Sequence, residues 1–189
     1  MLYKTMFSTP VIHPLLRFLS VFTLKLLGWK VEGDVPKDLK KCVLIAAPHT
    51  SNWDMPFSLM IAFALDTRLH WIGKDSIFKF PFASIMRWMG GIPVDRSQST
   101  NMVDATVATF AQYDELRIMM APEGTRAKVE QWKSGFYHIA NGAGVPILLG
   151  FIDYKGKQGG VLASFETSGD YEKDLEQIQL YYKPYMKQE

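Results

Sequence analysis

Short apolar runs that alternate with segments of helical spacing constrain the fold of this chain more than any other sequence feature. The runs at 42–47, 69–73, 117–121 and 146–152 have the length and composition of buried strands. Segments with helical periodicity separate them. This alternation is typical of proteins in which helices cover a parallel sheet. We therefore predict an α/β fold: a single domain with a mixed, largely parallel sheet flanked by helices.

Weaker patterns complete this prediction. Shorter strands are predicted at 31–33, 92–96 and 160–166, and helices at 54–65, 97–113, 134–141 and 170–182. The aromatic-rich stretch 74–89 is predicted to form two short helices, because Pro81 interrupts it.

Residues 1–30 form an apolar segment that we separate from the α/β domain at 31–189. Its core, 10–29, is a poor spanning helix and a poor signal peptide, because Arg17 and Lys25 interrupt it. Two interpretations stay open for this helix. One is a helix packed on the protein core; the other is a helix lying in a membrane interface. The second interpretation places in lipid Phe7, Phe18, Phe22 and Trp29.

Composition narrows the class of protein. Hydrophobic residues make up 48% of the chain and charged residues 21%, which is typical of a globular domain. The net charge of +2 comes without a run of Lys or Arg, so nucleic acid is not an expected partner. The single cysteine, Cys42, excludes an internal disulfide and a cysteine-based zinc site. A lone cysteine fits a reducing compartment, and we expect a cytoplasmic protein.

His49 lies after the strand at 42–47, and Asp54 lies at the start of the next predicted helix. A carboxylate on one imidazole nitrogen fixes the tautomer of a histidine, so that the other nitrogen can act as a general base. The alternative is that both residues only cap the helix. Ser51, Asn52 and Asp54 are all candidate N-cap residues, and Pro56 suits the first turn.

Two further loops follow predicted strands. Gly124 permits a close approach of the backbone, Thr125 offers a hydroxyl, and the Arg126 guanidinium matches phosphate geometry. Arg96 is the last residue of the short segment predicted at 92–96, where the strand gives way to a turn. Taken singly, these features also fit an ordinary turn and a surface salt bridge. Because ligands of open α/β sheets bind at the carboxyl ends of the strands, the three loops together indicate a site for an anionic, hydroxyl-bearing substrate.

Four short blocks give the chain its resemblance to a known family. It resembles the glycerolipid acyltransferases, which include the lysophosphatidate (1-acylglycerol-3-phosphate) acyltransferases. The blocks are His-x-x-x-x-Asp at 49–54, Gly-x-Ile-x-x-Asp-Arg at 90–96, Pro-Glu-Gly-Thr-Arg at 122–126 and Val-Pro-Ile at 145–147. The chain departs from the family at Pro48, where Asn is frequent, at Ala121, where Phe is common, and at Ala127 in place of Ser. Bulkier residues are also usual where the second block has 93–94.

The resemblance implies transfer of an acyl group from an acyl thioester, of coenzyme A or of acyl carrier protein, to the hydroxyl of a lysophospholipid. It implies that His49 is the general base, that Asp54 orients it, and that Arg96 and Arg126 hold the acceptor phosphate. Glu123, Gly124 and Thr125 would shape the substrate pocket. The resemblance implies no cofactor and no metal, and a peripheral location on the cytoplasmic face of the membrane.

Three alternatives stay open. The first is acyl transfer to a different hydroxyl or amine acceptor. The second is a metal-dependent phosphoesterase that uses His49, Asp54 and Glu123. The last alternative is a non-catalytic scaffold that retains the fold.

Overall fold

A seven-stranded sheet organises the computed structural model, which describes residues 4–94, 99–125, 129 and 131–186. The order of the strands across the sheet is β1-β7-β6-β2-β5-β3-β4. The strands are β1 (Lys30–Glu32), β2 (Lys41–Ala47), β3 (His70–Lys74), β4 (Gly91–Val94), β5 (Leu116–Met120), β6 (Ile147–Asp153) and β7 (Gln158–Phe165).

Helices cover both faces of this sheet. They are α1 (Ile12–Leu26), α2 (Asp54–Ala64), α3 (Ala83–Trp88), α4 (Ser99–Gln112), α5 (Gly135–Ala143) and α6 (Tyr171–Met186), and a short 3₁₀ helix spans Asp75–Phe78. The predicted α/β fold with a mixed, largely parallel sheet is confirmed. Two short helices also stand where Pro81 was expected to break one.

The central strand β2 shows why the sheet could be recognised from its composition. Val43 and Ile45 pack into the core beneath α4, α5 and α6, while Cys42 and Leu44 pack into the core beneath α2. A strand buried on both faces has no polar side, so its sequence is continuously apolar rather than alternating.

The direction of the strands decides where a site can form. Strand β2 runs parallel to its neighbours β5 and β6, and β3 and β4 continue that direction. Strand β7 is antiparallel to β6, and β1 pairs with β7 in parallel. The carboxyl ends of β2, β3, β4, β5 and β6 therefore lie at the same edge of the sheet.

The helix α1 has one buried side and one exposed side. Ser20 and Leu24 are buried, and α1 packs against α2. Phe18 and Phe22 are 66% and 56% exposed. In the part of the chain that the structure describes, no helix is both long and apolar enough to cross a membrane.

Two of the four aromatic residues that the membrane-interface interpretation placed in lipid are in the core. Phe7 and Trp29 are 2% and 8% exposed, so the alternative interpretation, packing on the core, holds for both. Both lie outside α1, where the chain turns back to the domain. The Phe7 ring stacks on Phe63 at 4.6 Å between centroids, and the Trp29 ring lies 4.2 Å from that of Phe57. Burying each of these large side chains stabilises the fold by about 1.5–3 kcal/mol.

Candidate active site

The loop between β2 and α2 is built around the Asp54 carboxylate. Oδ2 of Asp54 accepts hydrogen bonds from the backbone N–H groups of Thr50 and Ser51, both at 2.9 Å. Asp54 is the first residue of α2, so the carboxylate reaches back over the loop that precedes its own helix. These bonds fix the loop backbone at the carboxyl edge of the sheet.

The N-cap prediction for this helix was wrong. Trp53 occupies the N-cap position, and its side chain makes no capping hydrogen bond. The Ser51 hydroxyl instead accepts the Trp53 N–H at 3.1 Å. Pro56 does lie in the first turn, where proline is well tolerated.

His49 and Asp54 contact each other directly. The distance from His49 Nδ1 to Asp54 Oδ2 is 2.8 Å. Asp54 is 5% exposed, and burial alone would raise its pKa. Hydrogen bonds from His49, the Ser51 backbone and Tyr154 outweigh that effect and lower the pKa of Asp54 below its ordinary value. Asp54 is therefore a carboxylate at neutral pH.

The charge on Asp54 assigns the tautomer of His49. A carboxylate only accepts hydrogen bonds, so Nδ1 must be the donor and Nε2 carries the lone pair. The His49 side chain is 30% exposed, which leaves it within reach of a substrate. An imidazole with a buried anion behind its Nδ1 and a partly exposed ring can take a proton from a hydroxyl on Nε2.

Tyr154 is a site residue that the sequence reasoning missed. Its hydroxyl donates to Asp54 Oδ1 at 2.7 Å, across 100 positions of sequence. Tyr154 directly follows β6. The signal that could have identified it is a tyrosine two residues after the predicted strand at 146–152, once that strand is known to run parallel to β2 and to end at the same sheet edge.

Glu123 ties a second loop to the first. The Glu123 Oε1 atom accepts the backbone N–H of His49 at 3.2 Å. Glu123 is buried, and its Oε2 atom has no hydrogen-bond partner among the described residues. Burial raises the pKa of this carboxyl group. The loop after β5 therefore contacts the loop after β2, as the sheet-edge argument predicted.

Gly124 is held in the left-handed region, at φ +66°, and has the Lys133 side chain against it. A Cβ atom at position 124 would lie 2.9 Å from both Cδ and Cε of Lys133. The Lys133 N–H also donates to the Pro122 carbonyl at 2.8 Å. The cationic side chain of Lys133 thus lies over Gly124, and Thr125 beside it is exposed.

The remaining predicted groups are distributed differently. Arg96 and Arg126, the expected phosphate-binding residues, lie outside the described residues, so their roles stay predictions. Among the residues that are described, no cluster of three or more His, Cys, Asp or Glu side chains is arranged to hold a metal ion.

Comparison with known proteins gives consistent results. The acyltransferase family model matches residues 28–148, which contain all four sequence blocks. The 1-acyl-sn-glycerol-3-phosphate acyltransferase of Haemophilus influenzae is 34% identical over 131 residues, covering 65% of this chain and 53% of that protein. The enzyme of the same name from Escherichia coli is 32% identical over 132 residues, covering 65% and 52%. The chain thus spans about half the length of these relatives.

A solved structure supports the fold. The 1-acyl-sn-glycerophosphate (LPA) acyltransferase of Thermotoga maritima superposes with a TM-score of 0.65 at 15% identity, covering 94% of this chain and 80% of that one. The family model covers well over half of the chain, and the His49–Asp54 contact lies within it. The chain belongs to the acyltransferase family.

Proposed function

We propose that this protein transfers a fatty acyl group from an acyl thioester to the hydroxyl of a lysophospholipid such as 1-acylglycerol-3-phosphate. The observation that carries the proposal is the 2.8 Å contact between His49 and the buried Asp54 carboxylate, at the carboxyl edge of the sheet. The names of the relatives from Haemophilus influenzae and Escherichia coli support this choice of acceptor.

The proposed step is a direct transfer. His49 Nε2 takes the proton of the acceptor hydroxyl while that oxygen bonds to the carbonyl carbon of the thioester. The carbon–sulfur bond then breaks, and the proton on Nε2 passes to the departing thiolate. Asp54 stabilises the imidazolium that exists between these two proton transfers. A positioned general base of this kind typically contributes about 10²–10⁴-fold to the rate.

The acceptor phosphate requires cations near the dyad. Arg96 and Arg126 are our predicted ligands for it, because a guanidinium matches phosphate geometry. Lys133 lies over Gly124 and is exposed, so it adds positive charge at the same loop. The donor is proposed to be acyl-coenzyme A or acyl carrier protein, and no cofactor takes part.

Replacement of His49 tests the proposal. We expect His49→Ala to lose at least about 10²-fold in acceptor-dependent thiol release, with lysophosphatidate and either acyl donor as substrates. The matched control is His138→Ala, because His138 is an exposed histidine on α5 that stacks on Tyr171. A folded His49→Ala protein with undiminished turnover would refute the mechanism. Activity on a phosphoester that needs a divalent cation, in place of acyl transfer, would favour the phosphoesterase alternative.

We also propose that the exposed side of α1 rests on the membrane surface from which a lysophospholipid would be drawn. This side carries an apolar stripe at helical spacing: Val11, Leu15, Phe18, Phe22 and Leu26. A second exposed apolar set lies at Phe80, Phe82 and Ile85, with Phe80 96% exposed. The Met6 N–H donates to the Trp88 carbonyl at 2.7 Å, which joins the segment before α1 to α3. Exposed apolar side chains grouped in this way are typical of a surface that contacts a membrane or another protein.

Point variants test membrane binding without disturbing the core. We expect the double variant Phe18→Ser and Phe22→Ser to float less with anionic phosphatidylglycerol vesicles than the unmodified protein. Deleting the first 30 residues is a poorer test, because it removes the buried Phe7 and Trp29. The control replaces two exposed apolar residues of α6, Leu180→Ser and Tyr181→Ser. Equal flotation of both double variants and the unmodified protein would overturn this part of the proposal.

A further inference from the structure

Four hydrogen-bond donors surround the Asp54 carboxylate, and they divide unequally between its two oxygens. Oδ2 takes the His49 ring and the two backbone N–H groups of Thr50 and Ser51. Oδ1 takes the Tyr154 hydroxyl, at 2.7 Å. Among the residues that the structure describes, Tyr154 is thus the only hydrogen-bond donor to Oδ1. Rotation about the Cβ–Cγ bond moves both oxygens together, so the Tyr154 hydrogen bond restrains the carboxylate at Oδ1 while the other three donors restrain it at Oδ2.

The Tyr154 ring is held in place by two aromatic neighbours. Its ring centroid lies 5.4 Å from that of Trp29 and 5.6 Å from that of Phe57, and both contacts are edge-to-face. Trp29 and Phe57 also contact each other. Aromatic pairs of this geometry are attractive beyond simple burial. The position of the hydroxyl is therefore set by packing, before any substrate binds.

We propose that Tyr154 is a positioning residue for the acyl transfer, and that its hydroxyl holds the Asp54 carboxylate in the orientation that presents Oδ2 to His49 Nδ1. This inference rests on the proposed function for its kinetic consequence, and on the hydrogen-bond geometry for its structural one. Tyr154 acts through Asp54 and exchanges no proton with the substrate. Its ring stays in the aromatic cluster when the hydroxyl is removed, so the two roles of the side chain can be separated.

The substitution Tyr154→Phe removes the hydroxyl and keeps the ring, so it separates the two roles of the side chain. We expect kcat to fall about 5- to 30-fold and KM to change by less than about twofold, since the orientation of His49 matters in the transition state rather than in substrate binding. The matched control is Tyr181→Phe, which removes the hydroxyl of an exposed tyrosine on α6 and leaves kcat unchanged. Circular dichroism and thermal melting establish that both variants are folded.

A double-mutant cycle tests whether Tyr154 acts through Asp54. In an Asp54→Asn background the charge that the hydroxyl orients is absent, so adding Tyr154→Phe should reduce kcat by less than about twofold. A structural role alone would give the same loss of rate in both backgrounds. A full 5- to 30-fold further loss in the Asp54→Asn background would overturn the proposal.

A spectroscopic measurement makes the proposal independent of turnover. In ¹⁵N-histidine-labelled protein, the His49 signal, identified by its absence in His49→Gln, should report protonation on Nδ1. We expect Tyr154→Phe to shift this signal toward a mixture of tautomers, and Tyr181→Phe to leave it unchanged. If the unmodified protein transfers no acyl group, the proposed function fails while this measurement still decides the role of Tyr154. A His49 spectrum unaffected by Tyr154→Phe refutes that role.

Discussion

Replacing Asp54 by asparagine isolates the charge that we assign to the dyad. The three groups around Oδ2 are all donors, so the asparagine side chain will direct its carbonyl oxygen toward them. Its NH₂ group then faces the Tyr154 oxygen, which can turn its proton away and accept. The substitution keeps the shape of the site and removes only the negative charge behind His49.

The expected loss of activity in Asp54→Asn can be worked out from the 2.8 Å distance between His49 Nδ1 and Asp54 Oδ2. At an effective dielectric constant of 20, a unit charge pair at that distance gains about 6 kcal/mol. Solvent reduces this value, because the His49 side chain is 30% exposed. A loss of about 2–4 kcal/mol in transition-state stabilisation corresponds to a fall in kcat of about 30- to 1000-fold.

The same substitution has a predicted pH signature in stability. The pKa of Asp54 is lowered in the folded protein, so its ionised form stabilises the fold at pH values above about 3.8, and this contribution disappears as the pH falls through the folded pKa. We therefore expect the melting temperature of Asp54→Asn to lie below that of the unmodified protein at neutral pH. The difference should narrow as the solution is acidified.

The assay is the rate of thiol release at saturating donor and acceptor. Asp66→Asn is a matched control, since Asp66 also lies beside a histidine, His13, at 3.4 Å, but on the half-exposed surface near α1. The φ of Asp66 is +52°, a conformation that asparagine adopts readily, so the control does not strain the backbone. If folded Asp54→Asn keeps kcat within about threefold of the control, Asp54 does not stabilise a charged His49 in the transition state.

Three further substitutions test neighbouring parts of the structure. Burial raises the pKa of Glu123, so its carboxyl group destabilises the fold increasingly as the pH rises above about 4.5. The melting temperature of Glu123→Gln minus that of the unmodified protein should therefore increase as the pH is raised above about 4.5. A difference that does not change with pH would contradict this account. Gly124→Ala strains a backbone at φ +66° and displaces Lys133, so we expect a loss of about 1–2 kcal/mol in the free energy of unfolding together with a higher KM for lysophosphatidate. An unchanged denaturation midpoint would show that the loop yields without strain. Tyr137→Phe removes a buried hydroxyl that donates to Asp174 at 2.8 Å, away from the site. It should cost about 1–2 kcal/mol of stability in urea unfolding with kcat unchanged, and a fall in kcat would be inconsistent with a purely structural role.

The sequence was most informative where a feature depends on neighbouring residues. The strand at 42–47 could be predicted because both of its faces are buried, and the 49–54 spacing already indicated that His49 and Asp54 could meet. The outward side of α1 was harder to assign. Phe7, like Trp29, is an aromatic residue in the same apolar segment as Phe18 and Phe22, so the sequence does not distinguish them. Only the path of the chain beyond the ends of α1 places Phe7 and Trp29 in the core.

Features that depend on strand order could not be predicted. Strand β5 lies between β2 and β3, and β6 lies on the other side of β2, although β3 follows β2 in the chain. Nothing in the local sequence fixes that order, because the apolar runs are interchangeable in composition. The contact between Tyr154 and Asp54 depends on it, and this is the physical reason why the tyrosine escaped the sequence analysis.

The position of β2 between β5 and β6 explains why the dyad is held from both sides. In the β2–β5 register Ile45 pairs with Met120, so the loop that carries Glu123 begins beside the loop that carries His49. In the β2–β6 register Ala47 pairs with Phe151, so Tyr154 follows β6 at the same level. One neighbouring strand thus supplies the acceptor for the His49 backbone N–H, and the other supplies the donor to the carboxylate that orients the His49 ring. It follows that a substitution at the carboxyl end of β5 should disturb where His49 sits, whereas one at the carboxyl end of β6 should disturb which way its ring faces.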